Sequence, residues 1–338
     1  MTAPGDGPRA WWRPGGGRWL LAAAALLLAA ALFDPGVTME RDRFDHVVVL
    51  DVTQSMNVTD AQIDGRPVSR LDLARHALRG ALLRLPCGSK VGWAIFTEYR
   101  SLLLFAPIEV CGHLDELRAT LARIDSRMAW SGNSEVAKGL HSAIGIARDL
   151  PEKPTLVFVT DGHEAPPLSP SYRPRFDDKP GEVPGLIVGV GDRVPSPIPK
   201  RDPQGRPLGF WRADEVMQTD PHSLGRGASV QGEKMVDGPA DGVAAAPALG
   251  ATPGMEHLSA LREGYLQRLA GEQGMAYLRL QAPEDLARAL TAPALARPLP
   301  AHASGRAALA ALALCLLAAR YALPWLRRPA RKTSVSKK

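Results

Sequence analysis

Two short runs, His46–Leu50 (HVVVL) and Thr155–Val159 (TLVFV), are apolar at almost every position and rich in valine. A strand with no polar face must be covered on both sides, which is the situation of a parallel sheet packed between helices. Gly185–Val190 (GLIVGV) and Met275–Leu280 read as further strands, and amphipathic stretches alternate with them. Arg70–Leu85 sets Leu71, Ala74, Leu78, Leu82 and Leu85 at helical spacing, and Pro86 ends it. Leu114–Ile124, Ser134–Leu150, Glu256–Ala270 and Glu284–Leu290 read as the other helices. Val91–Thr97 and Ser101–Ala106, on either side of a turn near Glu98-Tyr99-Arg100, read as a hairpin. The alternation predicts an α/β domain with a doubly wound, mostly parallel, Rossmann-like sheet and one antiparallel edge strand. No internal repeat is evident.

The loops that leave the first two strands carry the chemistry. Asp51, Thr53 and Ser55 follow the first run, and Asp161 follows the second. In an open parallel sheet, ligands gather beyond the carboxyl ends of the strands. Residues two apart in such a loop can turn toward one point, and Ser134, at the start of a predicted helix, can join them. Two carboxylates and three hydroxyls are hard oxygen donors, suited to magnesium, calcium or manganese rather than to a thiolate-seeking metal. Two aspartates only balance a divalent ion, which leaves it an appetite for one more anionic oxygen. A partner's Asp or Glu is the expected supplier.

Asp51–Ser55 (DVTQS), Ser131–Leu140 (SGNSEVAKGL) and Val159–Gly162 (VTDG) resemble the metal-ion-dependent adhesion site of von Willebrand factor A domains. The resemblance covers roughly residues 44–290 and implies a metal site of Asp51, Thr53, Ser55, Ser134 and Asp161. Thr stands for the first Ser of the family pattern and Ser for its Thr, so every oxygen survives. Magnesium is the first expectation for the cation, with calcium or manganese as alternatives. Ser134 is expected both to ligate and to cap its helix. Gly162 reads as a turn residue, and Asp60, Glu135, His163 and Glu164 read as polar surface. The competing enzymatic reading is a metal-assisted hydrolase using Asp161, His163 and Glu164, with His163 as base.

Further segments narrow the resemblance. Asp51–Asn57 (DVTQSMN), Phe96–Arg100 (FTEYR) and Pro197–Trp211 (PIPKRDPQGRPLGFW) are similar to membrane-anchored A-domain proteins encoded with bacterial methanol dehydrogenase. A-domain proteins of aerotolerance operons share the same plan. The resemblance implies a non-catalytic docking protein that assists assembly of, or calcium insertion into, a periplasmic quinoprotein methanol dehydrogenase. The client, that enzyme or its accessory proteins, would present an acidic residue.

The formal charge of +6 is unevenly placed. Residues 1–18 carry three arginines against one aspartate, and residues 327–338 carry six basic groups and no acid. The remainder is mildly acidic, so the sequence offers no support for nucleic-acid binding. Next to these tails lie the most apolar stretches. Trp19–Phe33 spans ~22 Å as a helix against a ~30 Å hydrocarbon core, and residues 19–36 read as a signal anchor or a cleaved signal peptide. Ala307–Leu326 is long enough to span, with Arg320 near enough to its end to reach headgroups, and 306–326 reads as a transmembrane helix. Basic ends stay in the cytoplasm, which puts residues 44–292 on the other face of the membrane; the resemblance implies a bacterial source, and hence an inner-membrane protein with that domain periplasmic.

Cys87 and Cys111 flank the predicted hairpin, and in a register centred on Tyr99 they lie opposite each other. A disulfide is expected there, permitted by an oxidising compartment; the alternative is two separate buried thiols. Cys315 reads as a small apolar residue. Two Pro-rich stretches, Glu164–Pro184 and an insertion over 192–254, exceed ordinary loop length. Both emerge near the predicted metal face and read either as partner-selecting elements or as flexible decoration.

Overall fold

Strand β1 (Asp45–Asp51) is buried along its whole length. Val48 and Leu50 enter one apolar cluster, and Val47 and Val49 enter another, the alternation of a strand covered on two faces. Each such buried side chain contributes about 1.5–3 kcal/mol. The computed structural model describes residues 15–168, 172–219, 233–237 and 254–326.

The other strands of the sheet are β2 (Lys90–Thr97), β3 (Arg100–Glu109), β4 (Thr155–Thr160), β5 (Gly185–Val190) and β6 (Ala276–Leu280). They stand in the order β6-β5-β4-β1-β2-β3. All neighbours are parallel except β2 and β3, so the sheet is mostly parallel with one antiparallel edge strand. The chain runs outward from β1 through β2 and β3, then returns on the other side to β4. Strand order reverses between β1 and β4, where the loops at the carboxyl ends part and open a crevice. Asp51 ends β1 and Asp161 follows β4.

Helices α1 (Arg70–Leu82), α2 (Leu114–Arg123) and α5 (Pro283–Leu290) pack on the Val48 face, and α3 (Val136–Asp149) and α4 (Glu263–Gln273) on the Val47 face. Ser69 caps α1 by accepting from the Asp72 amide at 3.0 Å. Helix α3 lies so close to the sheet that a Cβ on Gly139 would come within 2.1 Å of the Phe96 ring.

The hairpin turns on Glu98-Tyr99, with Thr97 opposite Arg100, one residue off a register centred on Tyr99. Register shifts between Val91 and Trp93 and between Trp93 and Ala94 carry the pairing past that register to Val91 opposite Ile108 and Lys90 opposite Glu109, and beyond this open end Cys87 and Cys111 form the expected disulfide.

Helix α4 begins seven residues later than the sequence predicts. Leu258–Ser259 instead pairs with Ser196–Pro197, and the Arg262 amide bonds to the Asp161 carbonyl at 2.9 Å. Within the insertion, Pro199–Arg201 and Pro207–Phe210 form a second small hairpin. Its remainder over 220–232 and 238–253 lies outside the described residues, as do 169–171 of the first Pro-rich stretch.

Of the described residues, those within 42–297 form one compact unit, and those within 15–41 and 298–326 form another. In the second, the helices Gly15–Leu32 and Arg306–Leu326 occupy the two apolar stretches and touch each other. Among the described residues no helix is long and apolar enough to cross a membrane. The basic segments 1–14 and 327–338 lie outside the described residues.

Candidate metal centre

The loop after β1 turns at once into a short 3-10 helix, Gln54–Asn57, and its side chains fold back on Asp51. Asp51 Oδ1 accepts from the Thr53 amide (2.9 Å) and the Thr53 hydroxyl (2.6 Å), and Oδ2 accepts from Thr160 Oγ1 (2.6 Å). Thr53 Oγ1 lies 3.3 Å from Ser55 Oγ, and the Ser55 side chain helps to hold the Asp161 carboxyl low. Asp161 Oδ1 accepts from the His163 amide at 2.9 Å. Gly162, at φ +78°, makes the turn between them, in the left-handed region that favours glycine.

Ser134 arrives through the backbone. Its amide donates to the Ala165 carbonyl (2.6 Å), and its carbonyl accepts from the Ala165 amide (2.7 Å). On the other side the Glu98 amide bonds Asn133 O (3.2 Å) and the Glu135 amide bonds Glu98 O (2.5 Å). Ser134 is therefore not the helix cap the sequence predicts: α3 starts at Val136, and the Ala137 amide is bound instead by Glu164 Oε1 at 3.1 Å. The Ser134 hydroxyl is buried and has no hydrogen-bond partner.

Thr53, Ser55 and Ser134 line one cavity of about 330 Å³. All five predicted ligand residues are thus brought to one crevice, with Asp51 and Asp161 fully buried beneath the hydroxyls. Burial and the neighbouring Asp161 charge push the Asp51 carboxyl up to about 7. Burial also raises Asp161, but the Arg70 guanidinium prevails and holds it below the ordinary carboxylate range. A cation between the two carboxylates would relieve their repulsion, and Ser134 Oγ, left without a partner, is a ready oxygen donor. The residues fit a hard divalent ion. Among the described residues the one cluster of three His, Cys, Asp or Glu groups is Cys87, Glu109 and Cys111, whose sulfurs are bonded to each other.

The predicted surface residues are placed differently. His163 and Glu164 are buried, because the loop after Asp161 dives between α3 and α4 instead of out to solvent. Burial lowers His163 to about 4, and its Nδ1 has no partner. Burial raises Glu164 to about 8, and Tyr265 Oη donates to it at 2.5 Å. Glu164 is thus occupied with capping α3, its carboxyl biased by burial toward the neutral form. Glu135 is largely covered and pairs with Lys138 at 2.5 Å. Asp60 is only 9% exposed and pairs with Arg70.

Two residues of the site, Arg70 and Ser259, escaped the sequence reading, and so did the role of Thr160. Thr160 sits inside the VTDG run yet its bond to Asp51 has no local signature. Arg70 did leave a trace, since a cation in the first turn of a helix opposes the helix dipole. Ser259 left none.

The insertion walls the cavity. Ile198, Trp211, Glu215, Val216 and Met217 line it together with Thr53, Ser55 and Ser134. Trp211 Nε1 donates to Gln54 Oε1 at 2.5 Å, tying the insertion to the loop after β1. The Lys200 ammonium lies 4.5 Å from the Trp211 ring centre and bonds Glu215 at 2.6 Å, which braces this wall.

Comparison with known proteins adds a domain match. Residues 46–163 match the von Willebrand factor type A domain. No curated protein matches the chain. Among solved structures, an aerotolerance-related membrane protein from Bacteroides fragilis aligns at 16% identity, over 73% of this chain and 96% of that one, with a TM-score of 0.45. The PilB minor pilin of Streptococcus sanguinis aligns at 17% identity, over 75% and 61%, with a TM-score of 0.38. A membrane spanning protein from Vibrio fischeri aligns at 16% identity, over 74% and 95%, with a TM-score of 0.27. The chain carries a von Willebrand factor type A domain, and the matched span encloses Asp51, Thr53, Ser55, Ser134 and Asp161.

Proposed function

We propose that this protein is a non-catalytic, metal-dependent docking protein. The observation that carries the reading is the buried, unpartnered Ser134 hydroxyl facing the same cavity as Thr53 and Ser55. Asp51, Thr53, Ser55, Ser134 and Asp161 would hold the ion, magnesium in the first instance, with calcium or manganese as alternatives. A bound divalent ion supplies a Lewis-acidic position for a carboxylate. The chain's own contribution is to fix the hydroxyls by backbone bonds, to bury the two aspartates and to shape the approach. Ile198, Trp211, Val216 and Met217 line that approach together with Glu215, whose charge Lys200 meets, and Glu256.

The hydrolase reading is the weaker one. It asks His163 to act as a base, yet His163 is buried and held near 4. Glu164 is engaged by Tyr265 and by the Ala137 amide.

The finer proposal is that the client is a periplasmic quinoprotein methanol dehydrogenase or one of its accessory proteins. Docking would assist its assembly or its loading with calcium, with the chain attached to a bacterial inner membrane and the type A domain periplasmic. A general assembly or stress role like that of aerotolerance proteins is the alternative. Asp51→Ala should abolish cation uptake in calorimetry and chelator-sensitive crosslinking to a client in membranes, while the fold persists by circular dichroism. Unchanged client capture by folded Asp51→Ala refutes the docking reading. Carbonate extraction and protease protection of spheroplasts test the location.

A further inference from the structure

Arg70 opens α1, the end of a helix where a cation is disfavoured, and its side chain is fully buried. Nη1 donates to Asp161 Oδ2 (2.5 Å) and to Ser259 Oγ (2.7 Å). Nη2 donates to the Ser259 carbonyl (3.0 Å) and to Asp60 Oδ2 (2.6 Å), and Nε donates to Asp60 Oδ1 (3.0 Å). Ser259 Oγ also donates to Asp161 Oδ2, at 3.0 Å. The room for this guanidinium comes from Gly191, at φ +119°, where an added Cβ would lie 2.5 Å from Arg70 Nε. A second cation, Arg262, stands near Asp161 but faces Glu256 at 3.9 Å.

We infer that Arg70 is a built-in counter-charge that weakens the site's own hold on a cation and makes uptake depend on the partner's carboxylate. The inference rests on the docking reading above. Asp161 Oδ2 is taken by Arg70 and Ser259, leaving Oδ1, which accepts from the His163 amide, as the remaining acceptor. A positive charge fixed on the same carboxylate repels an incoming cation, and the effect is strong where water is excluded. At the cavity Asp51, Asp161 and Arg70 sum to a single negative charge, and Asp60, paired with the far edge of the guanidinium, offsets part of the arginine charge. A divalent ion therefore keeps an uncompensated share of its positive charge toward the cavity, where a partner's carboxylate meets it. Ion and partner then favour each other's binding, and the coupling is reciprocal by thermodynamic necessity. Asp60, on the far edge of the guanidinium, tempers its charge and orients it.

Manganese binding to the purified full-length chain, read by calorimetry with and without sodium acetate as carboxylate probe, tests this. Arg70→Gln should tighten manganese binding about tenfold and reduce its dependence on acetate, the opposite of what loss of a merely structural contact does. Arg70→Lys should return affinity toward wild type. Asp60→Asn, which exposes Asp161 to the full arginine charge, should weaken binding several-fold. Melting curves establish that each variant is folded; should Arg70→Gln not fold, Arg70→Lys and Asp60→Asn carry the test. A folded Arg70→Gln that binds manganese no more tightly than wild type, or an Asp60→Asn that binds more tightly, overturns the inference and leaves the docking reading standing. No uptake by wild type or any variant at millimolar manganese overturns both.

Discussion

His46 offers a sharp test of how the sheet is held. Its ring is fully buried at the start of β1, and Nε2 lies 3.0 Å from the Leu290 carbonyl. A carbonyl only accepts, so Nε2 carries the proton and the ring is neutral. Nδ1 has no partner, and protonating it would bury an unpaired charge. Burial, with a smaller push from Arg297, lowers His46 from the ordinary 6.5 to about 4. The unfolded chain therefore takes up this proton before the folded one does. Stability from His46 is complete above pH 6.5 and declines as pH falls toward 4. Between pH 7.5 and pH 4.5 the loss amounts to about 2.5 kcal/mol. Other groups titrate across that window, so the quantity to measure is the difference between wild type and His46→Gln. Glutamine keeps a donor for Leu290 O and cannot charge. Urea unfolding followed by circular dichroism at the two pH values should show wild type losing about 2.5 kcal/mol more than His46→Gln. Equal losses, or a His46 imidazole that titrates near 6.5 in NMR spectra, would refute the argument.

Breaking the Cys87–Cys111 bridge by the double serine substitution should cost about 3–4 kcal/mol, from the entropy of the loop it closes, whose ends lie 24 residues apart. An unchanged urea midpoint would count against it. Gly139→Ala should destabilise the domain by roughly 1–3 kcal/mol, because its methyl group meets the Phe96 ring, and a thermal melt reads this directly. Trp211→Ala should leave cation uptake intact but reduce client capture, since it removes the wall of the cavity and its tie to Gln54. Parallel loss of cation uptake would place Trp211 in the metal site instead.

The sheet was legible because β1, β4 and β5 have no polar face, and period-two burial on both sides leaves few arrangements. The oxygen donors were legible because they follow strands that must end at one edge. The less legible features depend on long-range geometry. The late start of α4 follows from pairing with Ser196–Pro197, some sixty residues away in the chain, which helical spacing at Glu256–Ala270 does not reveal. The burial of His163 and Glu164 follows from the path of a loop between two helices, and polar residues beside prolines read as surface until that path is known. Ser134 reads as a cap by residue type, yet Glu164 performs that task from a different loop.

Ser134 is gripped by main-chain bonds from both neighbours, Glu98 on one flank and Ala165 on the other. A backbone anchored in that fashion has little freedom to surrender when an ion arrives, so ligation costs the polypeptide little beyond one side-chain rotor, while water released from the ion's shell gains entropy. The same anchoring is indifferent to side-chain identity at the flanking positions, which are therefore free to vary with the partner while the oxygen stays in place.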